Sequence, residues 1–337
     1  MIESSNNVTR CGIILAGGEG QRLQSFIRSL RGDGLPKQFV NFIGARSMLE
    51  HTFARAEMLI PPERLFTVVS QVHLDLPEVG KQLARRPAGT VIEQPQNKET
   101  LPGLLLPLIH VLRHDPEAVV AVFPSDHFIV EEALFMTHVD LALRIAERYP
   151  SFIVLLGIEP DDPEPEYGYI LPDKRQHPLS PLRARRVARF VEKPDPSAVH
   201  ELLGGGALWN TMVMAFKVKT LLQLVRRRMP SLYGSFRRVA GAIGTRSEPH
   251  VVKAVYRRLE TVNFSRELLQ AQAQDPGIRL LVLPVRGVLW SDWGSETRVL
   301  AALRKVGLLG RLRQPAASQE SRPSQLGHDL SSTRSVA

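Results

Sequence analysis

Cys11 is the only cysteine in the chain. An intrachain disulfide and a cysteine-based metal site are therefore both excluded. No apolar run reaches the roughly 18 residues that a membrane helix needs. The first ten residues, Met1 to Arg10, are polar and lack the apolar stretch of a signal peptide. These absences set the expectation of a cytoplasmic protein with no membrane contact. Two common phosphate-binding fingerprints are also missing. The Gly-Lys-Ser/Thr ending of a P-loop does not occur after the first glycine cluster, and a dinucleotide fingerprint would need a further glycine near Leu23. The formal net charge is +9, yet no aromatic residues interleave the arginine clusters at Arg183 to Arg189, Arg226 to Arg228 and Arg237 to Arg238. No helix-turn-helix or finger pattern appears either, so nucleic acid is not the expected partner. A positive site for a small polyanion accounts for the charge equally well.

What is present reads as an ordinary globular composition, 43% hydrophobic and 23% charged over 337 residues. Strand-like and helix-like segments alternate through the first half. Cys11 to Ala16, Leu65 to Ser70, Thr90 to Glu93, Ala118 to Phe123 and Phe152 to Gly157 are short apolar runs. Met48 to Leu59, Leu74 to Arg85, Leu101 to Arg113 and Ala133 to Glu147 carry helical periodicity. This rhythm predicts an α/β fold with a Rossmann-like, mixed but mostly parallel sheet flanked by helices. Buried parallel strands read as continuous apolar runs, as these do. After Gly157 the rhythm changes. Strands are expected at Val187 to Glu192, Ala207 to Phe216, Leu280 to Pro284 and Val288 to Ser291. Helical segments fill Val218 to Arg258 and Thr297 to Val306. Residues 1–310 are expected to form one domain. Arg311 to Ala337, rich in Ser, Arg, Gln and Pro, is expected to be a disordered tail.

The first strand runs directly into Gly17-Gly18-Glu19-Gly20-Gln21-Arg22. Glycines at such a turn let backbone amides approach a phosphate. Arg22 within the loop and Lys37 in Pro36-Lys37-Gln38-Phe39 suit a triphosphate whose pyrophosphate must leave. Leu15 to Leu23 together with Pro36 to Phe39 resembles the signature of sugar-phosphate nucleotidyltransferases, and within them the mannose-1-phosphate guanylyltransferase branch. Further pieces fall in family order: Gln94-Pro95 with Asn97, Thr100 and Pro102; Phe123-Pro124-Ser125-Asp126-His127; Tyr167-Gly168-Tyr169-Ile170; Val191-Glu192-Lys193-Pro194; Leu208-Trp209-Asn210; Trp290-Ser291-Asp292-Trp293-Gly294. Any one motif is weak, and the ordered set is specific. The chain departs from the pattern in four places, one being Gln24-Ser25 where Trp-Pro usually follows Arg-Leu. The gap between Arg22 and Pro36 is longer, Thr261-Val262-Asn263-Phe264 replaces Ser-Ile-Asp-Tyr, and Thr211-Met212 follows Asn210.

The resemblance implies attack by a sugar 1-phosphate, expected to be mannose 1-phosphate, on the α-phosphorus of a nucleoside triphosphate, expected to be GTP. Glucose 1-phosphate with UTP, dTTP or ATP is the nearest alternative. Two polyanions must meet, so positioning and charge neutralisation dominate. Arg22, Lys37 and Asp126 are the expected catalytic residues, with Arg22 and Lys37 gripping pyrophosphate. Leu15, Ala16, Gly17, Gly18, Gly20, Gln94, Asn97 and Thr100 are the expected nucleotide contacts. Gly168, Glu192, Lys193 and Asn210 are assigned to the sugar phosphate, and Asp126 with Asp292 to Mg²⁺. His127 reads as a supporting or structural histidine, and Trp209, Trp290 and Trp293 as core or pocket wall. A homo-oligomer is left open. A nicotinamide oxidoreductase and a non-catalytic regulatory relative are the competing classes. The incomplete dinucleotide fingerprint speaks against the first, and retention of Arg22, Lys37, Asp126, Lys193 and Asp292 against the second.

Overall fold

Strand β1 (Arg10–Ala16) is apolar at consecutive positions because it feeds two cores at once. Cys11 and Ile13 face one core, whereas Ile14 and Ala16 face the other. The computed structural model describes residues 8–175, 183–271 and 279–312. Within them the remaining strands are β2 (Leu65–Ser70), β3 (Val91–Gln94), β4 (Val119–Pro124), β5 (Phe128–Ile129), β6 (Phe152–Ile158), β7 (Gly168–Pro172), β8 (Arg185–Glu192), β9 (Leu208–Lys217), β10 (Arg279–Val285) and β11 (Trp290–Ser291). The helices are α1 (Gln24–Arg31), α2 (Met48–Ala56), α3 (Gln71–Leu74), α4 (Pro77–Leu83), α5 (Thr100–His114), α6 (Glu132–Arg148), α7 (Pro196–Gly204), α8 (Val218–Arg228), α9 (Pro230–Ala242), α10 (Glu248–Tyr256) and α11 (Glu296–Lys305).

The main sheet has nine strands in the order β3-β2-β1-β4-β9-β6-β10-β8-β7, and β7 also pairs with β9. β1 to β4 are parallel, and β10 is parallel to β6. β9 runs against both β4 and β6, and β8 against both β10 and β7. The sheet is thus mixed and mostly parallel, as the alternating pattern implies. Helices α1, α2, α6 and α11 pack on one face. Helices α5, α8, α9 and α10 cover the other. The chain leaves β1 towards β2 and β3, then returns to place β4 on the opposite side of β1. That reversal opens a crevice at the carboxyl ends of β1 and β4, where open α/β sheets bind ligands.

Several expectations change in detail. Of the helix expected over Leu74 to Arg85 only α4 (Pro77–Leu83) forms, while Leu74 ends the short α3, since proline starts a helix more readily than it continues one. Val218 to Arg258 divides into three helices, the first break falling at Pro230. The strand expected over Val288 to Ser291 shrinks to the two residues of β11. The long gap after Arg22 holds α1, which buries Phe26, Ile27 and Leu30 and stops at Gly32 with φ 81°. From position 313 onward the expected tail lies outside the described residues, while Leu312 is placed by a bridge to Ile43. Among the described residues no helix is long and apolar enough to cross a membrane.

One irregularity shapes the sheet near the crevice. The register of β6 and β9 shifts between Leu155 and Gly157. Thr211 fills the shift: its hydroxyl donates to Leu156 O at 2.8 Å and accepts from Val213 N at 3.2 Å. A Cβ on Gly157 would come within 2.9 Å of Leu208 and 3.0 Å of Val282. Gly157→Ala is expected to cost about 1–3 kcal/mol by overpacking, read as a drop of a few degrees in Tm. A thermal melt identical to that of the unmodified chain would show that the two neighbours yield freely.

Candidate active site

The glycine loop is pinned from below. Gln38 Nε2 donates to Ala16 O at 2.9 Å and to Gly18 O at 2.8 Å. The Ser125 hydroxyl donates to Leu15 O at 2.7 Å. Gly20 takes φ 61°, and a Cβ there would lie 3.2 Å from Lys37 Cβ. Glycine is needed at that position for backbone conformation and for space. Gly18 meets nothing within 4 Å of its Cβ direction, so the loop opens outward there. Gln94 ends β3 beneath this loop. It is 2% exposed, and its Oε1 is a buried acceptor without a partner. A Cβ on Gly17 would lie 3.3 Å from Gln94 Nε2, and one on Gly103 3.1 Å from Oε1. The two glycines make room for this amide.

Asn97 and Thr100 shape the entry to α5. Asn97 Oδ1 accepts from Glu99 N at 3.0 Å. Thr100 Oγ1 accepts from Phe264 N at 2.8 Å, which ties the 261–264 segment to the start of the helix. Both side chains thus have structural work in addition to the nucleotide contact expected of them.

Lys37 is enclosed by two distant segments. Its side chain is 6% exposed. The ammonium contacts Asp126 Oδ2 at 2.7 Å, Asp292 O at 2.6 Å and Trp293 O at 3.4 Å. An ammonium has three protons, so these contacts use all of them. The resemblance assigns Lys37 to pyrophosphate; in the structure its ammonium links the segment after β4 to the turn after β11. Burial alone would raise the Asp126 carboxyl, but the Lys37 and His127 contacts bring it below the usual carboxylate range. His127 is buried, its Nδ1 accepts from Trp290 Nε1 at 3.2 Å, and its Nε2 lies 4.0 Å from Asp126 Oδ1. Burial pushes the imidazole down to about 4, so it is neutral at pH 7. Arg55, itself buried, reaches the His127 carbonyl at 3.2 Å and Glu132 at 2.8 Å. All three tryptophans are buried, as expected of wall residues.

Asp292 forms a local turn and a longer link. Its Oδ1 accepts from Gly294 N at 2.9 Å and from the Tyr167 hydroxyl at 3.0 Å, with Arg298 Nε at 3.4 Å. Its Oδ2 lies against Gly294, where a Cβ would come within 2.6 Å. Among the described residues no three His, Cys, Asp or Glu side chains gather into a cage. Mg²⁺ does not need one: one or two carboxylates plus phosphate oxygens suffice. Asp126 is 35% exposed, and Lys37 contacts both its carboxylate and the Asp292 carbonyl.

Gly168, Glu192 and Asn210 come together although they lie on three strands. Gly168 pairs with Glu192, and a Cβ on it would meet Glu192 Oε2 at 2.7 Å and Asn210 Cβ at 3.4 Å. Asn210 Oδ1 accepts from Met212 N at 3.1 Å. Burial raises the Glu192 carboxyl, against the opposing pull of Lys193 and Arg266. Lys193 stands apart from Lys37 in being exposed, with its Nζ 3.7 Å from Glu166. Arg22, also exposed, donates to the same Glu166 oxygen at 2.6 Å. Sequence reasoning gave no role to Gln38, Arg55, Tyr167, Glu166 or Arg298. Only Gln38 and Tyr167 lie inside a motif that would have drawn attention to them.

The contrast between the two kinds of cation is testable. Lys37→Met removes one partner of a shielded pair and strands two carbonyls. It is expected to cost about 1–3 kcal/mol, below the value for a fully buried pair because Asp126 is partly in solvent. Arg22→Ala removes only an exposed pair and is expected to stay within about 0.5 kcal/mol. Urea unfolding of both variants checks this, and equal destabilisation would remove the strut role of Lys37.

Residues 11–306 match the family model described as nucleotidyl transferase. The xanthan biosynthesis protein XanB of Xanthomonas campestris pv. campestris (strain B100) is 31% identical over 221 residues, covering 65% of this chain and 44% of XanB. The mannose-1-phosphate guanylyltransferase 2 of Escherichia coli O157:H7 is 28% identical over 300 residues, covering 84% of this chain and 58% of that protein. The chain therefore spans about half the length of the curated relatives it matches. Among solved structures, the mannose-1-phosphate geranyltransferase from Thermus thermophilus superposes with a TM-score of 0.71 at 27% identity, covering 85% of this chain and 77% of the other. With a crevice at the sheet's reversal point and a family match that runs through every strand of it, the chain belongs to the nucleotidyl transferase family.

Proposed function

We propose that this chain transfers a guanylyl group from GTP to mannose 1-phosphate, giving GDP-mannose and pyrophosphate. The observation that carries the reading is the node where Lys37 joins Asp126 to the Asp292 turn beside the glycine loop. The names of the relatives support the choice of sugar and base. In the reaction a phosphate oxygen of the sugar attacks the α-phosphorus in line. The bond from that phosphorus to the β-phosphate bridging oxygen breaks, and pyrophosphate leaves with the bond's electrons. No proton transfer is required, so the chain's task is to align two anions and neutralise them.

The amides of Gly17, Gly18 and Gly20 line the triphosphate path, and Arg22 neutralises the departing pyrophosphate. Gln94 holds an amide under the loop with an unpartnered oxygen, suited to the donor edge of a base. Asn97 and Thr100 complete that side. Glu192 and Asn210 meet sugar hydroxyls around Gly168, whose missing side chain lets the ring approach. Lys193 takes the sugar phosphate. Mg²⁺ bound by Asp126 and Asp292 would supply further neutralisation of phosphate oxygens. Lys37 is a positioning residue, because its donors are already engaged by the two aspartates and Trp293.

Pyrophosphate release from GTP should require mannose 1-phosphate and should stop with EDTA. A matrix of four nucleotides and several sugar phosphates decides it. Equal or faster turnover with UTP and glucose 1-phosphate would remove the GDP-mannose reading while leaving the reaction class standing.

Asp126→Asn and Asp292→Asn should each lower kcat by on the order of 10²-fold, about 2.7 kcal/mol. An asparagine oxygen at position 292 still accepts from Gly294, so the turn survives. If the two carboxylates share one ion, the double variant loses far less than the product of the single defects. Simple multiplication in a double-mutant cycle at saturating Mg²⁺ would show that they do not share it.

A further inference from the structure

Arg22 and Lys193, the exposed cations at the crevice, meet on one anion that belongs to the chain itself. Glu166 Oε2 lies 2.6 Å from Arg22 Nη1 and 3.7 Å from Lys193 Nζ. The three side chains come from three separate segments: the glycine loop, the loop between β6 and β7, and the end of β8. We propose that the Glu166 carboxylate is an internal competitor for phosphate at the crevice, which lowers the affinity of Arg22 and Lys193 for any anion they bind. This rests on the functional reading above, in which Arg22 faces pyrophosphate and Lys193 the sugar phosphate.

The loop that carries Glu166 is built to keep it there. It runs through Pro160, Pro163 and Pro165, each of which fixes φ. The Tyr169 hydroxyl donates to Glu164 O at 3.0 Å, and Glu166 N donates to Glu164 Oε1 at 3.0 Å. Arg298 Nη1 lies 3.4 Å from Glu164 Oε2. The backbone leading into position 166 is therefore held through Glu164, while the Glu166 side chain is half exposed. A ligand phosphate must displace the carboxylate by turning the side chain. The displaced carboxylate then remains close enough to return, which favours release of the bound anion. A pyrophosphate group offers several negative oxygens against one carboxylate, so it wins the exchange at higher concentration.

The test is direct binding of inorganic pyrophosphate, measured by calorimetry, to the full chain and to Glu166→Gln. Glutamine keeps the size and removes the charge. Exposed ion pairs contribute little, so Glu166→Gln should bind pyrophosphate on the order of 1.4- to fivefold more tightly. Asp162→Asn, a charge-matched change on the same loop, should leave the affinity unaltered, and Arg22→Ala should abolish the gain in a Glu166→Gln background. Affinity equal to or weaker than that of the unmodified chain would overturn the proposal, the weaker result assigning Glu166 to the orientation of Arg22. An equal gain in Asp162→Asn would also overturn it, since net charge alone would then explain the effect. If pyrophosphate binds neither protein, the reading of the crevice as a phosphate site falls and takes this proposal with it.

Discussion

The Lys37 ammonium holds the crevice together. Its contacts span 255 residues, from the segment after the glycine loop to the carbonyl of Asp292. It is shielded from water, where an unpaired ammonium would be costly, and so the acceptors around it are obligatory. Asp126 supplies one by ending β4, and the turn at Asp292 and Trp293 supplies two carbonyls. The antiparallel pair of β5 and β11 brings that turn to the end of β4. Phe128 stacks on Trp293 with centroids 4.5 Å apart, and Trp290 is hydrogen-bonded to His127. Each of these contacts fixes the direction of an acceptor that Lys37 needs. Gly20 is drawn in as well, since its left-handed turn leaves the space that the Lys37 stem occupies.

Charge in the crevice is divided between a closed set and an open one. Lys37 and Arg55 are enclosed and saturated by protein groups, so they set geometry. Arg22 and Lys193 are exposed and loosely held, so an arriving anion can claim them. The second pair can respond to a ligand without breaking the fold. The chain's formal excess of +9 acts at longer range, where it raises the local concentration of phosphates without selecting among them.

Much of this was legible from the sequence, for identifiable reasons. β1, β4 and β6 announce themselves as unbroken apolar runs because both of their faces are buried. The ordered motifs placed Gly168, Glu192 and Asn210 in one site, and the pairing of β7 with β8 and β9 unites them. Helix α1 was not legible, because only Phe26, Ile27 and Leu30 mark its apolar face amid charged neighbours. The enclosure of Lys37 was not legible for a deeper reason. A motif states which residue stands at a position but not how far that residue is from water, and burial decides whether a lysine grips a ligand or braces the fold. Glu166 escaped because its partners lie 144 positions upstream and at Lys193. No local pattern encodes that meeting.

The backbone carries a further mark of the site. Among the described residues five non-glycine positions have positive φ: Glu99, Arg183, Lys193, Met212 and Trp293. Four of them adjoin proposed contacts. Glu99 precedes Thr100, Lys193 follows Glu192, Met212 lies two positions after Asn210, and Trp293 follows Asp292. Such conformations cost on the order of 1–3 kcal/mol each and persist only where the surroundings over-determine them. Here the restraints are visible. Asn97 accepts from Glu99 N, Asn210 accepts from Met212 N, and Ser291 Oγ accepts from Trp293 N at 3.2 Å. In each case a polar side chain two positions earlier holds the strained amide. The carbonyl oxygens of Asn97 and Asn210 serve the backbone, which leaves their amide nitrogens for the ligand contacts proposed for them. The turns at 99 and 212 and the orientation of those amides are thus one constraint, because the hydrogen bond that holds each turn also fixes which way its asparagine nitrogen points.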